Sequence, residues 1–282
     1  VFTSFVGLIV APGTIHPFLG FVAILAIAVG AGASGALNMW YDADIDGQMQ
    51  RTAARPIPRG RVSASEALAL GTVLSVFSVL VIWMATNWLA AVLLAVTIGF
   101  YLFIYTMWLK RLTPQNIVIG GAAGSFPPMI GWVAVTGSIS LEAIVLFLII
   151  FMWTPPHFWA LALYRCRDYE RVGVPMLPVV KGPDETRKQI LIYSFILVAV
   201  SVLPSFIGLG GYLYLAVSGF AGAYFLYLAV EVFRVREGQI ADAKAKRLFL
   251  YSIFYLFLLF TVLLVEHVVP GLFFLTGIEL KV

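Results

Sequence analysis

Apolar runs of about twenty residues, bounded by charge, proline or glycine, recur along the whole chain, and each has the length a helix needs to cross a hydrocarbon core of about 30 Å. Inside lipid an unpaired backbone group finds no water, so only helices and closed barrels can span. A barrel would be written in short alternating segments, whereas these runs are continuous, so the expected spans are helices. Composition leads to the same place: 61% of the 282 residues are hydrophobic and 11% are charged, against roughly 25% charged in a soluble domain. A soluble globular fold is excluded.

The windows predict nine spans, near residues 1–10, 17–40, 65–86, 88–109, 116–136, 141–163, 189–209, 211–233 and 247–268. The first run begins at Val1 and reads as a helix truncated at its N-terminus rather than as a signal peptide. The fold class expected is therefore all-α and polytopic, a single membrane domain over residues 1–282.

The loops after spans 2, 4, 6 and 8 hold 17 of the 18 basic residues, from Arg51, Arg55, Arg59 and Arg61 through Lys110 and Arg111 to Lys244, Lys246 and Arg247; only Lys281 lies elsewhere. Lys and Arg near span ends stay in the cytoplasm, which predicts a cytosolic N-terminus, an outer C-terminus and four cytosolic loops. The net charge of +4 is thus topological, and no single basic stripe invites nucleic acid. The opposite connections are short, as between Thr86 and Trp88, and leave little room for an outer domain. The one cysteine, Cys166, excludes an internal disulfide framework and a Cys-based metal cage, and its neighbours Arg165 and Arg167 place it in a loop facing a reducing cytosol.

Span 2 ends in Asn38-Met39-Trp40-Tyr41-Asp42-Ala43-Asp44-Ile45-Asp46. If the helix continues, Asn38, Asp42 and Asp46 fall on one narrow stripe and Asp44 points elsewhere. Close carboxylates that stay ionised ask for a multivalent cation, and oxygen ligands with spare water positions suit Mg²⁺ bridging to a substrate diphosphate. The alternative is a solvated helix end balanced by nearby arginines. In the loop that follows, Pro56 and Pro58 forbid a continuous helix and favour a stiff, extended backbone that holds Arg55 and Arg59, whose planar forks suit phosphate or carboxylate oxygens.

Span 6 carries Trp153-Thr154-Pro155-Pro156-His157-Phe158-Trp159 and runs through Tyr164 into Arg165-Cys166-Arg167-Asp168. A continuous helix after Pro156 would set His157, Tyr164 and Asp168 on one cavity wall. For His157 a hydrogen-bonded core histidine is the competing reading; His16 and His267, near outer span ends, read as interfacial. The segment Val172 to Gly182 is apolar and punctuated by proline and glycine, and is expected to lie over the site as a lid. The 22 Phe, 12 Tyr and 7 Trp carry no specific signal, although ring faces can stabilise an allylic cation.

At these residues the chain resembles the UbiA superfamily of intramembrane prenyltransferases, whose first motif is an Asn followed by spaced aspartates, matched by Asn38, Asp42 and Asp46. Arg51-Thr52, Arg55-Pro56-Ile57-Pro58-Arg59-Gly60, Pro155-Pro156-His157-Phe158-Trp159-Ala160-Leu161 and Pro175-Met176-Leu177-Pro178-Val179-Val180-Lys181-Gly182 resemble its heme-using branch. The resemblance spans essentially the whole chain. It implies a nine-helix bundle around a central cavity open to the cytosol, and transfer of the farnesyl group of farnesyl diphosphate to a vinyl group of heme b, giving heme o and diphosphate. It implies Mg²⁺ held by Asp42, Asp46 and Asn38, with Arg55, Arg59 and Lys181 on the diphosphate and His157 or Tyr164 positioning the porphyrin or a water. Many members of the superfamily carry a second aspartate pair; here Asp168 stands with Arg167 and Tyr164, which leaves it either a second Mg²⁺ ligand or a group orienting waters and bases. The implied setting is a bacterial cytoplasmic membrane rather than a mitochondrial one, with the product handed to a heme a synthase or to oxidase assembly factors. Two rivals are a superfamily member acting on an aromatic acid or quinone precursor and a secondary transporter, whose coupling site would sit near the midplane with access from both sides.

Overall fold

The computed structural model describes residues 1–50 and 52–269, with Arg167 described by its backbone alone. Arg51, Lys281 and the expected outer C-terminus lie outside the described residues. Among those residues every regular element is helical: α1 (Phe2–Ile9), α2 (Pro17–Tyr41), α3 (Ala43–Asp46), α4 (Ala64–Ala85), α5 (Trp88–Gly99), a π-helical stretch (Phe100–Leu109), α6 (Lys110–Leu112), α7 (Asn116–Thr136), α8 (Leu141–Tyr164), α9 (Cys166–Arg171), α10 (Leu177–Val180), α11 (Gly182–Phe206), α12 (Tyr212–Arg234) and α13 (Gly238–Val268).

Eight helical spans are long and apolar enough to cross a membrane, with α5, the π stretch and α6 forming one of them, Trp88–Leu112. They coincide with eight of the nine expected runs; the first run forms the shorter α1. The chain is an integral membrane protein. Its first four spans pack in succession, α2 on α4, α4 on α5 and α5 on α7; the last four do likewise, and α13 returns to α8. The halves join where α7 meets α8, and α1 leans on α7.

Without a hydrophobic force between helices in lipid, close packing relies on small residues and polar bonds. At α1 and α7, Gly7 lies against the Pro128 backbone and Gly131 against that of Ser4, too close for a Cβ at either position. Gly71 of α4 is likewise filled by Leu37 of α2, where an added Cβ would stand 2.7 Å from Leu37 Cγ. Helix starts are tied down locally. Ser63 and Glu66 form a capping box at α4, and the Asn87 side chain accepts from Ala90 N at 3.0 Å while donating to Val133 O of α7 at 2.8 Å. The N-terminus of α12 is capped from another helix: Glu266 of α13, fully buried, accepts from Gly211 N at 2.7 Å and Tyr214 N at 2.9 Å. His16 caps α2 by accepting from Phe18 N at 3.3 Å, and His267 bonds its own helix at Leu263 O, 2.8 Å away.

Candidate active site

The polar end of α2 continues through a slight kink into α3. Asp42 has φ −91° and ψ 10°, yet its N–H still bonds Asn38 O at 2.9 Å, and Asp46 N bonds Asp42 O at 2.9 Å. The stripe of Asn38, Asp42 and Asp46 is therefore kept, and all three are buried, at 5%, 0% and 1% exposure. Buried carboxylates need partners, and each finds cations. Asp42 is paired with Lys110, accepts from Asn38 Nδ2 at 2.7 Å, and lies 3.3 Å from an Arg111 nitrogen. Asp46 accepts from Arg55 at 2.6 Å. Asp44 points away, as its place on the helix requires, and takes both forks of Arg111 at 2.8 and 2.9 Å; that guanidinium holds its carboxyl below the usual range.

Beside this corner lies a cavity of about 340 Å³. Asn38, Asp46, Arg55 and Lys110 form its polar end, and Tyr101, Tyr105, Trp153 and Phe158 line it further in. Tyr101 and Gly124 also border a second, apolar pocket of about 220 Å³ between α2, α5 and α7. Glycines make room: at Gly120 a Cβ would overlap the ring of Tyr105, and at Gly121 it would lie 2.7 Å from Thr154 Cγ2.

The π stretch decides which side chains face this space. Over the nine residues from Tyr101 to Lys110 an α-helix makes about two and a half turns, which would put Lys110 on the face opposite Tyr101. The wider i→i+5 winding brings Tyr101, Tyr105 and Lys110 to one wall. Thr106 Oγ1 fixes that winding by donating to Tyr101 O at 2.8 Å, and accepts from Asn38 Nδ2 at 3.2 Å. In the sequence Lys110 stands only as one of the topological charges. The signal that could have singled it out, a basic residue ending an apolar span opposite Asp42, depends on a pairing invisible in one dimension. Asn116 carries no signal in the sequence either; it lines the cavity with a buried Oδ1 that has no hydrogen-bond partner among the described residues, its Nδ2 donating to Thr113 O at 2.6 Å.

Other expected residues are placed elsewhere. The segment around Pro56 and Pro58 is not extended: it folds into successive turns, with Arg55 N on Thr52 O, Gly60 N on Ile57 O and Arg61 N on Pro56 O, each at 2.9 Å, and Gly60 adopts φ +66°. Proline favours the first position of a turn as readily as an extended strand. The turns bring Arg55 into the cavity and leave Arg59 exposed. Helix α8 ends at Tyr164 because Arg165 leaves helical geometry at φ −119° and ψ 17°, so Asp168 sits on the separate α9. The expected common wall of His157, Tyr164 and Asp168 does not form. His157 is buried between the rings of Trp153 and Phe249, 4.1 and 4.6 Å away, with Nδ1 bonded to Ser252 Oγ at 2.6 Å. Tyr164 lies edge-on to Phe249, and Arg165 stacks over it. Asp168 borders a small crevice with Met49 and Leu161, while its neighbour Tyr169 reaches the cavity. The side chain of Arg167 is outside the described residues. Lys181 is exposed on a separate groove with Glu185 and Gln189.

Part of the apolar segment after Val172 lines the cavity: Val174 and Met176 border it and pack with Ile45, Met49 and Ile117. Cys166 takes no part, and burial together with Glu170 pushes its thiol pKa up, away from a reactive thiolate.

The donor set suits Mg²⁺. Asn38 and Asp46 line the cavity, Asp42 lies buried behind them on the same stripe and bonded to Asn38 Nδ2, and the described cavity lining offers no thiol or imidazole. Among the described residues no three acidic, His or Cys side chains gather tightly enough to cage an ion. An ion there would complete its shell with phosphate oxygens and water, as Mg²⁺ commonly does.

A profile of the UbiA prenyltransferase family matches residues 1–253. The chain is 66% identical to a protoheme IX farnesyltransferase of Parvibaculum lavamentivorans over 94% of this chain and 84% of that one. It is 60% identical to a protein of the same name from Rhizobium leguminosarum bv. trifolii, over 95% and 84% of the two chains. Among solved structures, the fold resembles a digeranylgeranylglyceryl phosphate synthase at TM-score 0.78 and 16% identity, covering 94% of this chain and 92% of the other. It also resembles a UbiA homolog from Archaeoglobus fulgidus bound to GPP and Mg²⁺, at TM-score 0.62 and 16% identity over 93% and 94%.

Proposed function

The chain belongs to the UbiA prenyltransferase family, and on that premise we propose that it transfers the farnesyl group of farnesyl diphosphate to a vinyl group of protoheme IX, giving heme o and diphosphate. The observation that carries the reaction class is one cavity with two ends: carboxylates and cations at the membrane boundary, and an aromatic and apolar wall leading to a second apolar pocket. The acceptor rests on the relatives of 57–66% identity named protoheme IX farnesyltransferase.

The chemistry needs the bond between the allylic carbon and oxygen to break while negative charge collects on the departing diphosphate. Arg55 and Lys110 stand at the polar end as preorganised donors, and as the diphosphate arrives they move from Asp46 and Asp42 onto its oxygens. Asp42 and Asp46, with Asn38, would hold Mg²⁺, which supplies further positive charge to the leaving group when bound. The faces of Tyr101, Tyr105 and Trp153 stabilise the allylic cation and exclude water until the vinyl carbon attacks it. The cation left next to the porphyrin ring is quenched by water, whose proton passes to the released diphosphate. No covalent nucleophile is required. The positive-inside charge pattern supports a cytosolic polar end, N-terminus and basic loops, and the bacterial relatives support a bacterial inner membrane. The whole chain works as one prenyltransferase domain whose product passes to a heme a synthase or to oxidase assembly.

The test is incubation of purified protein with heme b, farnesyl diphosphate and Mg²⁺, with an EDTA control and mass analysis of the heme. Metal-dependent heme o is the expected result. Unchanged heme with farnesyl consumed on an added aromatic acceptor would overturn the substrate but keep the family, and no reaction by folded protein would overturn both substrate and class.

A further inference from the structure

On the lipid-facing side of α12 and α13 lies a groove of about 480 Å³ that the prenyl-transfer site does not use. Tyr224 and Leu228 of α12 and Lys246, Arg247, Leu250 and Tyr251 of α13 form its walls. Helix α13 has 31 residues, about 46 Å of helix against a hydrocarbon core of about 30 Å, so its first turns extend beyond the core. Its long apolar run begins at Leu248. Lys246 and Arg247 therefore stand at the level of the lipid headgroups, and Tyr224 and Tyr251 lie where amphipathic rings favour the interface. Deeper along the same helices, Phe220, Leu250 and Phe254 are exposed.

The charges at this corner are unbalanced. Arg247 is fixed at the rim, its guanidinium 5.8 Å from the centre of the Tyr224 ring and bonded to that hydroxyl. Lys246 has no hydrogen bond or ion pair among the described residues. Glu231 of α12 is bonded to Lys244 and also lies close enough to Arg247 to offset part of its charge, so that one carboxylate serves two cations and Lys246 is left over. Asp242, one turn earlier on α13, forms no ion pair with either cation of the groove.

We propose that this groove binds an anionic phospholipid, with the phosphodiester between Lys246 and Arg247 and an acyl chain along Leu228 and Leu250. Two cations at headgroup depth above an apolar channel complement a lipid whose net charge is negative, and basic pockets between helices at the membrane surface bind such headgroups. A zwitterionic lipid brings a quaternary ammonium that the same cations repel, and a free phosphate leaves the apolar wall unused.

The experiment is native mass spectrometry of the delipidated full chain titrated with phosphatidylglycerol or phosphatidylcholine. Preferential retention of one phosphatidylglycerol is expected, weakened roughly thirtyfold in the Lys246→Gln/Arg247→Gln variant, at about a factor of five per headgroup charge. A second variant, Leu250→Trp, fills the channel with both charges intact and is expected to lose the lipid too. Prenyl transfer in phosphatidylcholine should be unchanged in both. The proposal is overturned if wild type holds the two lipids equally, if both variants bind phosphatidylglycerol as wild type does, or if millimolar inorganic phosphate displaces the lipid completely.

Discussion

At Asp42 a fully buried carboxylate is held by Lys110 and Asn38, and at Asp46 another is held by Arg55. Such pairs contribute little net stability, because desolvation offsets most of the attraction, but removing one partner strands the other. Asp42→Asn and Asp46→Asn are expected to abolish turnover while leaving the protein inserted, and either variant with full heme o production would remove the metal assignment. Lys110→Met should cost about 10²- to 10³-fold in kcat, the usual loss when a preorganised donor to a charged transition state is removed; a kcat within twofold of wild type would sink that role. Arg55→Lys should weaken use of farnesyl diphosphate, since a point charge replaces a fork, and steady-state kinetics in that substrate would reveal it. The acidic stripe was legible in the sequence because helical spacing alone aligns Asn38, Asp42 and Asp46. Lys110 and Asn116 were not, because nothing local distinguishes a lysine that pairs with the acidic stripe from a topological one.

Two helical irregularities shape the site. The π stretch turns Lys110 toward Tyr101 and Tyr105, and Thr106 Oγ1 holds it by donating to Tyr101 O, so Thr106→Val should release that winding and turn Lys110 away. The expected outcome is a protein that still inserts and runs as wild type in size-exclusion chromatography, with prenyl transfer lost; retained transfer would show that the winding does not matter. The break after Tyr164 separates Asp168 from the wall that His157 would share with it, and His157 becomes a packed residue bonded to Ser252. Neither break nor bulge has a strong sequence signal, since Arg165 and the run Phe100 to Leu109 contain no proline or glycine. A third device is the cap that Glu266 provides to α12 from α13. Glu266→Leu leaves two amide donors without their charged acceptor and should destabilise the bundle by about 2–4 kcal/mol. Glu266→Gln, which keeps one acceptor oxygen, should cost less, and thermal unfolding in detergent would order the three proteins.

At the scale of the molecule, the basic loops predict one orientation. In a Cys166→Ser background, a cysteine placed at Asp184 should react with an impermeant maleimide only in inverted vesicles, and one at Ser138 only in right-side-out vesicles. The opposite pattern would overturn the topology. Apolar runs of bilayer length, their punctuation by charge and the even-loop arginines determined the spans and the end of the bundle where the polar cluster gathers, because lipid imposes helix length and backbone pairing on any chain that crosses it. Helical periodicity likewise determined the acidic stripe, which is local. Tertiary structure alone decided which cations neutralise that stripe, that turns carry Arg55 inward and leave Arg59 outside, and that Tyr101, Tyr105 and Lys110 share a wall. Those outcomes depend on contacts between helices far apart in sequence, and on departures from ideal winding that only packing can stabilise, so no pattern within a single segment encodes them.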